Sequence, residues 1–203
     1  MRVTGGRLAG RTLRAPKGLG TRPTTDRVRE SLFGALEHAE GAPLDGARVL
    51  DLFAGSGALG IEAVSRGAAF CLFVETAAPA RGAIRDNTEG LGLNGLTRLH
   101  RRSATSLGAK PAGMGPPFTL AFLDPPYGQG LIAPTLAGLM DGAWLASGAL
   151  AVCEQDRREE APRASRFEPV SERAYGDTVV RTLRYAPDGL DAPGGLDTPA
   201  SAD

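Results

Sequence analysis

Two short runs of this chain hold residue types that have little structural reason to sit together. The first is Val49-Leu50-Asp51-Leu52-Phe53-Ala54-Gly55-Ser56-Gly57-Ala58-Leu59-Gly60, which reads as strand, glycine loop and helix. Gly55 and Gly57 let the backbone approach a ligand closely. With Gly60 they also fit the G-x-G-x-x-G spacing of dinucleotide sites, and Glu75 ends the next strand about 20 residues further on, where a ribose-binding acid belongs. Asp51 pulls against that reading. A carboxylate at the end of the strand repels a pyrophosphate, which a helix amino terminus otherwise attracts. It suits a ligand with a positive ammonium and sulfonium, the charge pattern of S-adenosylmethionine. The plainer role for Asp51 is a turn-stabilising bond to nearby amides.

The second run is Leu120-Ala121-Phe122-Leu123-Asp124-Pro125-Pro126-Tyr127-Gly128. Two consecutive prolines remove two backbone donors and fix two φ angles. That stiffness is useful if the Asp124 carboxylate and the Pro125 carbonyl must aim at one substrate atom. Tyr127 then supplies a flat face on which an extruded base can stack.

The elements that must position these runs follow from periodicity. Strands are expected at 48–53, 70–75, 98–102, 120–124 and 149–154, with helices at 59–66, 79–91 and 131–140 between them. Apolar strands separated by helices indicate a mostly parallel sheet covered on both faces. Phe167–Tyr175 and Thr178–Tyr185 alternate around Gly176-Asp177, a hairpin signal. Before the first strand, residues 1–14 read as two short strands turning at Ala9-Gly10. Residues 25–38 read as a helix with Val28, Leu32 and Leu36 as its apolar stripe. The expected organisation is a basic hairpin and loop at 1–24, an α/β domain with its preceding helix at 25–185, and a disordered acidic tail at 186–203.

Charge is uneven along a chain that is neutral overall. Residues 1–31 carry eight basic side chains and two acidic ones, which leaves this arm at about +6 and the rest at about −6, an asymmetry typical of nucleic-acid binders. No amino-terminal apolar region resembles a secretory signal, and no apolar run is long enough to span a bilayer. Cys71 and Cys153 sit in apolar strands, as expected of buried thiols in a reducing, cytoplasmic setting. His38 and His100 lie far from other metal-ligand types, so no metal site is expected.

Asp-Pro-Pro-Tyr at 124–127 after Asp-x-Phe-x-Gly-x-Gly at 51–57 resembles the amino-group methyltransferases of adenine and guanine. Gly5-Gly6-Arg7, Arg11-x-Leu13 and Arg22-Pro23-Thr24-Thr25-Asp26-Arg27-Val28-Arg29-Glu30 narrow this. Over residues 1 to about 185 the chain is similar to the RsmD-like family of 16S rRNA guanine-N2 methyltransferases. The resemblance implies a Rossmann-like class I fold with a seven-stranded sheet and a small amino-terminal β-hairpin. It implies S-adenosylmethionine as cofactor and 16S rRNA in the small subunit, or its late assembly intermediate, as partner of a monomeric enzyme. Asp51, Ala54, Gly55, Gly57, Glu75, Ser103, Ala104 and Thr24 would hold the cofactor. Asp124, Pro125, Pro126 and Tyr127 would carry the chemistry, and Arg7, Arg11, Arg14 and Arg22 the RNA. One departure is Ser103, where this family usually has Asp or Asn against the adenine. Outside this family, another amino methyltransferase (DNA adenine or protein amide), a nicotinamide-dependent reductase and an inactive RNA-binding assembly factor remain open.

Overall fold

The computed structural model describes residues 1–16, 26–38 and 44–187. Lys17, Arg22, Thr24 and the tail beyond 187 lie outside these residues. Helix α1 (Asp26–Glu37) precedes five parallel strands: β1 (Arg48–Leu52), β2 (Phe70–Val74), β3 (Thr97–His100), β4 (Phe118–Leu123) and β5 (Leu145–Asp156). Helices α2 (Ala58–Ser65), α3 (Ala78–Gly90) and α4 (Ile132–Asp141) alternate with them. Strands β6 (Phe167–Tyr175) and β7 (Thr178–Tyr185) close the sheet as an antiparallel hairpin, and β7 lies against β5. The order β3-β2-β1-β4-β5-β7-β6 is the expected seven-stranded, mostly parallel sheet.

Alternation along each strand sorts the core into two layers. Val49, Phe73, Phe122 and Val152 pack with Phe33, Ile61 and Ile84 from α1, α2 and α3. Leu50, Leu72, Ala121 and Leu123 pack with Leu136, Leu139 and Trp144 on the α4 side. By the same parity Asp51, Asp124 and Glu154 belong to the α1–α3 face, at the carboxyl ends of β1, β4 and β5. β1 and β4 are neighbours whose connections lead to opposite edges of the sheet. A crevice opens at such a switch point. Helix α2 sits close to the sheet because Gly60 has no side chain: a Cβ there would fall 2.4 Å from Cys71 Sγ and 2.5 Å from Phe73 Cε1.

Several boundaries differ from the sequence reading. Residues 1–14 fold back as the expected hairpin but a very short one: the Val3 amide donates to the Arg11 carbonyl (2.9 Å) and the Leu13 amide to the Met1 carbonyl (3.0 Å). They make one antiparallel bridge, Arg2 with Thr12, around a 3₁₀ turn at Gly6–Leu8. Beyond this pairing, the amides of Leu8 and Arg14 are taken by side chains of Ser65 and Asn87, so the hairpin is also fastened to helices. In α1 the fully buried positions are Arg29, Leu32, Phe33 and Leu36, and Val28 is only half-buried. Strand β3 ends at His100, so Arg101 and Arg102 leave the sheet.

The burial of Arg29 has a specific cause. Glu62, on α2, is also without solvent exposure. Its carboxylate accepts from Arg29 Nε (3.4 Å), Arg66 Nε (2.8 Å), and the Thr4 amide (2.7 Å) and hydroxyl (2.8 Å). Arg29 also donates to Asp26 (2.8 Å) and to the Arg2 carbonyl. One buried carboxylate therefore joins the arm, α1 and α2. Removing one partner of a buried pair strands the other charge, which costs about 3–5 kcal/mol. Glu62→Ala should lower unfolding stability by about that much, and Glu62→Ala with Arg29→Met should be the more stable of the two variants. Urea denaturation midpoints check this.

Candidate active site

The loops after β1, β2, β3 and β4 surround a cleft of about 680 Å³, a size usual for small-molecule sites. The structure brings together Asp51, Ala54, Gly55, Glu75, Ser103, Ala104 and Asp124 to Tyr127 as its lining. Gly57 caps the start of α2 just behind it, in the left-handed region that glycine tolerates. Phe53, also lining the cleft, holds φ at 60°, a strained setting for an aromatic residue.

The carboxylates of this loop bond first to the protein. Asp51 Oδ2 accepts from the Gly60 amide at 2.9 Å, so the plainer of its two expected roles is fulfilled. Burial, aided by the Glu75 charge and opposed by the Gly60 bond, pushes its carboxyl up to about 8. Glu75 accepts from the amides of Gly55 (2.9 Å) and Ala77 (2.7 Å), clamping the loop to the end of β2. The Gly57 amide is taken by the Ala54 carbonyl at 2.7 Å. The amides of Gly55, Gly57 and Gly60 are thus satisfied internally, two of them by carboxylates. A pyrophosphate would meet acids where a dinucleotide site offers free N–H groups. A positively charged ligand gains from the same arrangement, and each Glu75 oxygen keeps a second acceptor position for hydroxyls. The lining fits S-adenosylmethionine.

Ser103 accepts from the Thr105 amide (3.3 Å) and shares a hydrogen bond with its hydroxyl (2.9 Å), capping the 3₁₀ turn Ala104–Ser106. On the far wall Pro125 is buried, Pro126 exposed, and Asp124 and Tyr127 half-buried. The Tyr127 hydroxyl donates to Glu154 Oε1 at 3.0 Å and lies 3.0 Å from Thr178 Oγ1.

The basic arm is less free than its sequence implies. Arg29 is buried, Arg2 pairs with Asp26, and Arg14 pairs with Asp86 at 2.9 Å. Arg7 lies in the turn packed on Ser65, the last residue of α2, and Arg11 reaches the Gly90 carbonyl at the end of α3. Both helices start at the cleft, so the arm's tip points away from it, while Met1, Ala15 and Pro16 return to line it. Arg22 and Thr24 lie outside the described residues. Sequence reasoning missed Glu154 and Thr178, whereas Arg29, in the Arg22–Glu30 run that carried the family resemblance, does line the cleft. Arg29 carried a signal, because a charge on the stripe of Leu32, Phe33 and Leu36 needs a buried partner.

The strand order, the switch-point cleft and the two loops meeting there define a Rossmann-like class I methyltransferase. The sequence pattern of the family described as Conserved hypothetical protein 95 matches residues 1–184. The chain belongs to this family, that of the RsmD-like methyltransferases. It is 40% identical over 162 residues to YlbH of Bacillus subtilis, covering 80% of this chain and 86% of that one. It is 38% identical over 163 residues to Ribosomal RNA small subunit methyltransferase D of Escherichia coli K12, covering 80% and 78%. The solved structure of yhhF from Escherichia coli, named as a methyltransferase, superposes with a TM-score of 0.78 at 32% identity over 92% of this chain and 98% of that one.

The Asp51 environment yields a pH test. An unfolded aspartate titrates near 3.9, so the folded chain holds this proton more tightly. Its contribution to stability is full below about pH 4 and is lost as pH rises through about 8. Ligand-free protein should lose stability from pH 5.5 to 9, and Asp51→Asn, which keeps an acceptor for Gly60, should flatten that slope. A ligand ammonium favours the carboxylate, so binding at neutral pH should release a proton. Calorimetry in buffers of different ionisation heat reads this; parallel pH profiles and no proton release contradict it.

Proposed function

We propose that this chain transfers a methyl group from S-adenosylmethionine to the N2 amino group of a guanine in small-subunit 16S rRNA. One observation carries the reading: the rigid Asp124–Tyr127 loop faces a glycine loop whose anion-binding amides are already closed by Asp51 and Glu75. The similarity to Ribosomal RNA small subunit methyltransferase D supports rRNA as the substrate class.

The cofactor, when bound, supplies an electrophilic methyl group on a sulfonium. Glu75 would take the ribose hydroxyls, Asp51 the ammonium, and Ser103 with the Ala104 amide the adenine edge, while Ala54, Gly55 and Gly57 shape the channel. Guanine N2 is a poor nucleophile because its lone pair is delocalised. Asp124 and the Pro125 carbonyl would each accept one N2–H and turn electron density toward the methyl group, with the Asp124 carboxylate taking the proton that N2 gives up. The rate then comes mainly from orientation and electrostatics. Asp124 also offers an acceptor to guanine N1–H, whereas adenine presents an acceptor at N1.

Asp124→Ala should leave cofactor affinity nearly intact and lower methyl transfer by about two to four orders of magnitude. Labelled cofactor and small subunits from a deletion strain measure the rate, and mass spectrometry of rRNA digests identifies the product. A near wild-type rate would take the chemistry away from this loop.

The arm is assigned to RNA at a distance from the target base, since Arg7 and Arg11 are exposed at the far end of α2 and α3 and Arg14 lies partway back. Phosphate contacts are salt-sensitive and independent of sequence. Neutralising Arg7, Arg11 and Arg14 together should weaken subunit binding and flatten its salt dependence without changing cofactor affinity. A salt slope equal to wild type, in folded protein, identifies the arm as a structural flap.

A further inference from the structure

We infer that Glu154 and Thr178 are positioning residues that set the stance of Tyr127 against the substrate base. What Tyr127 faces rests on the methyltransferase reading above; the tether is a matter of geometry.

Glu154 lies near the end of β5 and is 8% exposed. Thr178 is the first residue of β7. The register pairs Glu154 with Val180 and Asp156 with Thr178, so Glu154 and Thr178 occupy neighbouring positions on one face of the sheet. The phenol has one hydrogen, which goes to Glu154 Oε1; the phenol oxygen then accepts from the Thr178 hydroxyl. Tyr127 is thus anchored by its tip to two strands, while its backbone follows two prolines with fixed φ. The loop is held again one residue on, where the Gly128 amide donates to Glu159 at 3.0 Å. On its other side the hairpin is braced to α1, with Tyr175 Oη 3.1 Å from Ser31 Oγ. The ring wall of the cleft is therefore fixed from the sheet and does not depend on a bound ligand.

A half-buried phenol gains from a partner, and a structural role alone would be met by any neutral acceptor. The acceptor here is a carboxylate. Burial, with the Glu154 charge, raises the phenol well above its ordinary value, so the proton stays on Tyr127 and the bond keeps its direction. Donating to an anion enriches the ring in electron density. An exocyclic amine becomes cationic as it takes the methyl group, and an electron-rich face beside it is favourable at that moment. The tether therefore acts on the rate of transfer more than on ground-state binding.

Tyr127→Phe keeps the ring and loses both bonds. Its kcat should fall about tenfold to a hundredfold, the scale for small misplacement of reacting groups, with the KM for subunits and the cofactor Kd unchanged. Glu154→Ala, which leaves only the Thr178 bond, should lower kcat in the same direction and by no more, and Glu154→Gln, which keeps a neutral acceptor, should recover part of the loss. The double variant Tyr127→Phe with Glu154→Ala should be no slower than Tyr127→Phe alone, because the tyrosine change already removes the Glu154 bond. A wild-type kcat in Tyr127→Phe, or additive losses in the double variant, overturns the proposal. A second readout needs no activity. The chain has three tyrosines, and in 3-fluorotyrosine-labelled protein the Tyr127 ¹⁹F resonance should shift in Glu154→Gln and in Thr178→Val while Tyr185 stays in place. If wild-type protein transfers no methyl group to small subunits, the substrate reading fails and this spectrum decides the tether by itself. An unmoved Tyr127 resonance overturns it.

Discussion

A carboxylate that never meets water holds this molecule's cleft in shape. Glu62 on α2 is buried among Arg29, Arg66 and Thr4, three partners from three separate segments. A buried charge is tolerable only with partners, and each partner is immobilised in return. Glu62 therefore fixes where α1 lies on α2, and with it Arg29, which lines the cleft. It also fixes the start of the arm, through Thr4, so that Met1 reaches Ser56 at the glycine loop. Asn87 repeats the device from α3: its side chain bonds the Arg14 backbone in both directions and the Ser56 carbonyl at 2.9 Å. The amino-terminal arm is in this sense a wall of the site.

The same principle governs the ligand-binding loop. Glycine loops at helix amino termini attract anions because their N–H groups are unpaired. Here Asp51 and Glu75 reach those groups first. The loop keeps its tight path, but its electrostatic preference is inverted toward a cation. Two loops of nearly identical sequence pattern can thus select opposite ligand charges, depending on whether an acid from a neighbouring strand closes the amides.

Sheet parity assembles the opposite wall. Asp124 at the end of β4, Glu154 near the end of β5 and Thr178 at the start of β7 share one face at one edge of the sheet. The antiparallel hairpin is what permits the last of these, because only a reversed strand can begin where β5 ends. The closing hairpin of the sheet thereby takes part in the site, besides covering an edge. No helix among the described residues is long and apolar enough to cross a membrane.

Local patterns determined much of this protein. Alternating apolar runs were enough to place all seven strands and four helices within a few residues, because burial on both faces and the 3.6-residue stripe are written in consecutive residue types. The glycine loop and Asp124-Pro125-Pro126-Tyr127 were legible for a similar reason, since their chemistry lies in adjacent residues. What the sequence left open was every question of partnership across long separations. Whether Asp51 meets a ligand or Gly60, whether Arg29 is surface charge or core, and where the arm's arginines point depend on which helix packs against which strand. Arg29 and Glu62 are 33 residues apart, and Tyr127 and Thr178 51 apart. No short-range pattern encodes such a pair. Only the folded sheet brings its members within bonding distance, and only there does the cost of an unpaired buried charge decide their arrangement.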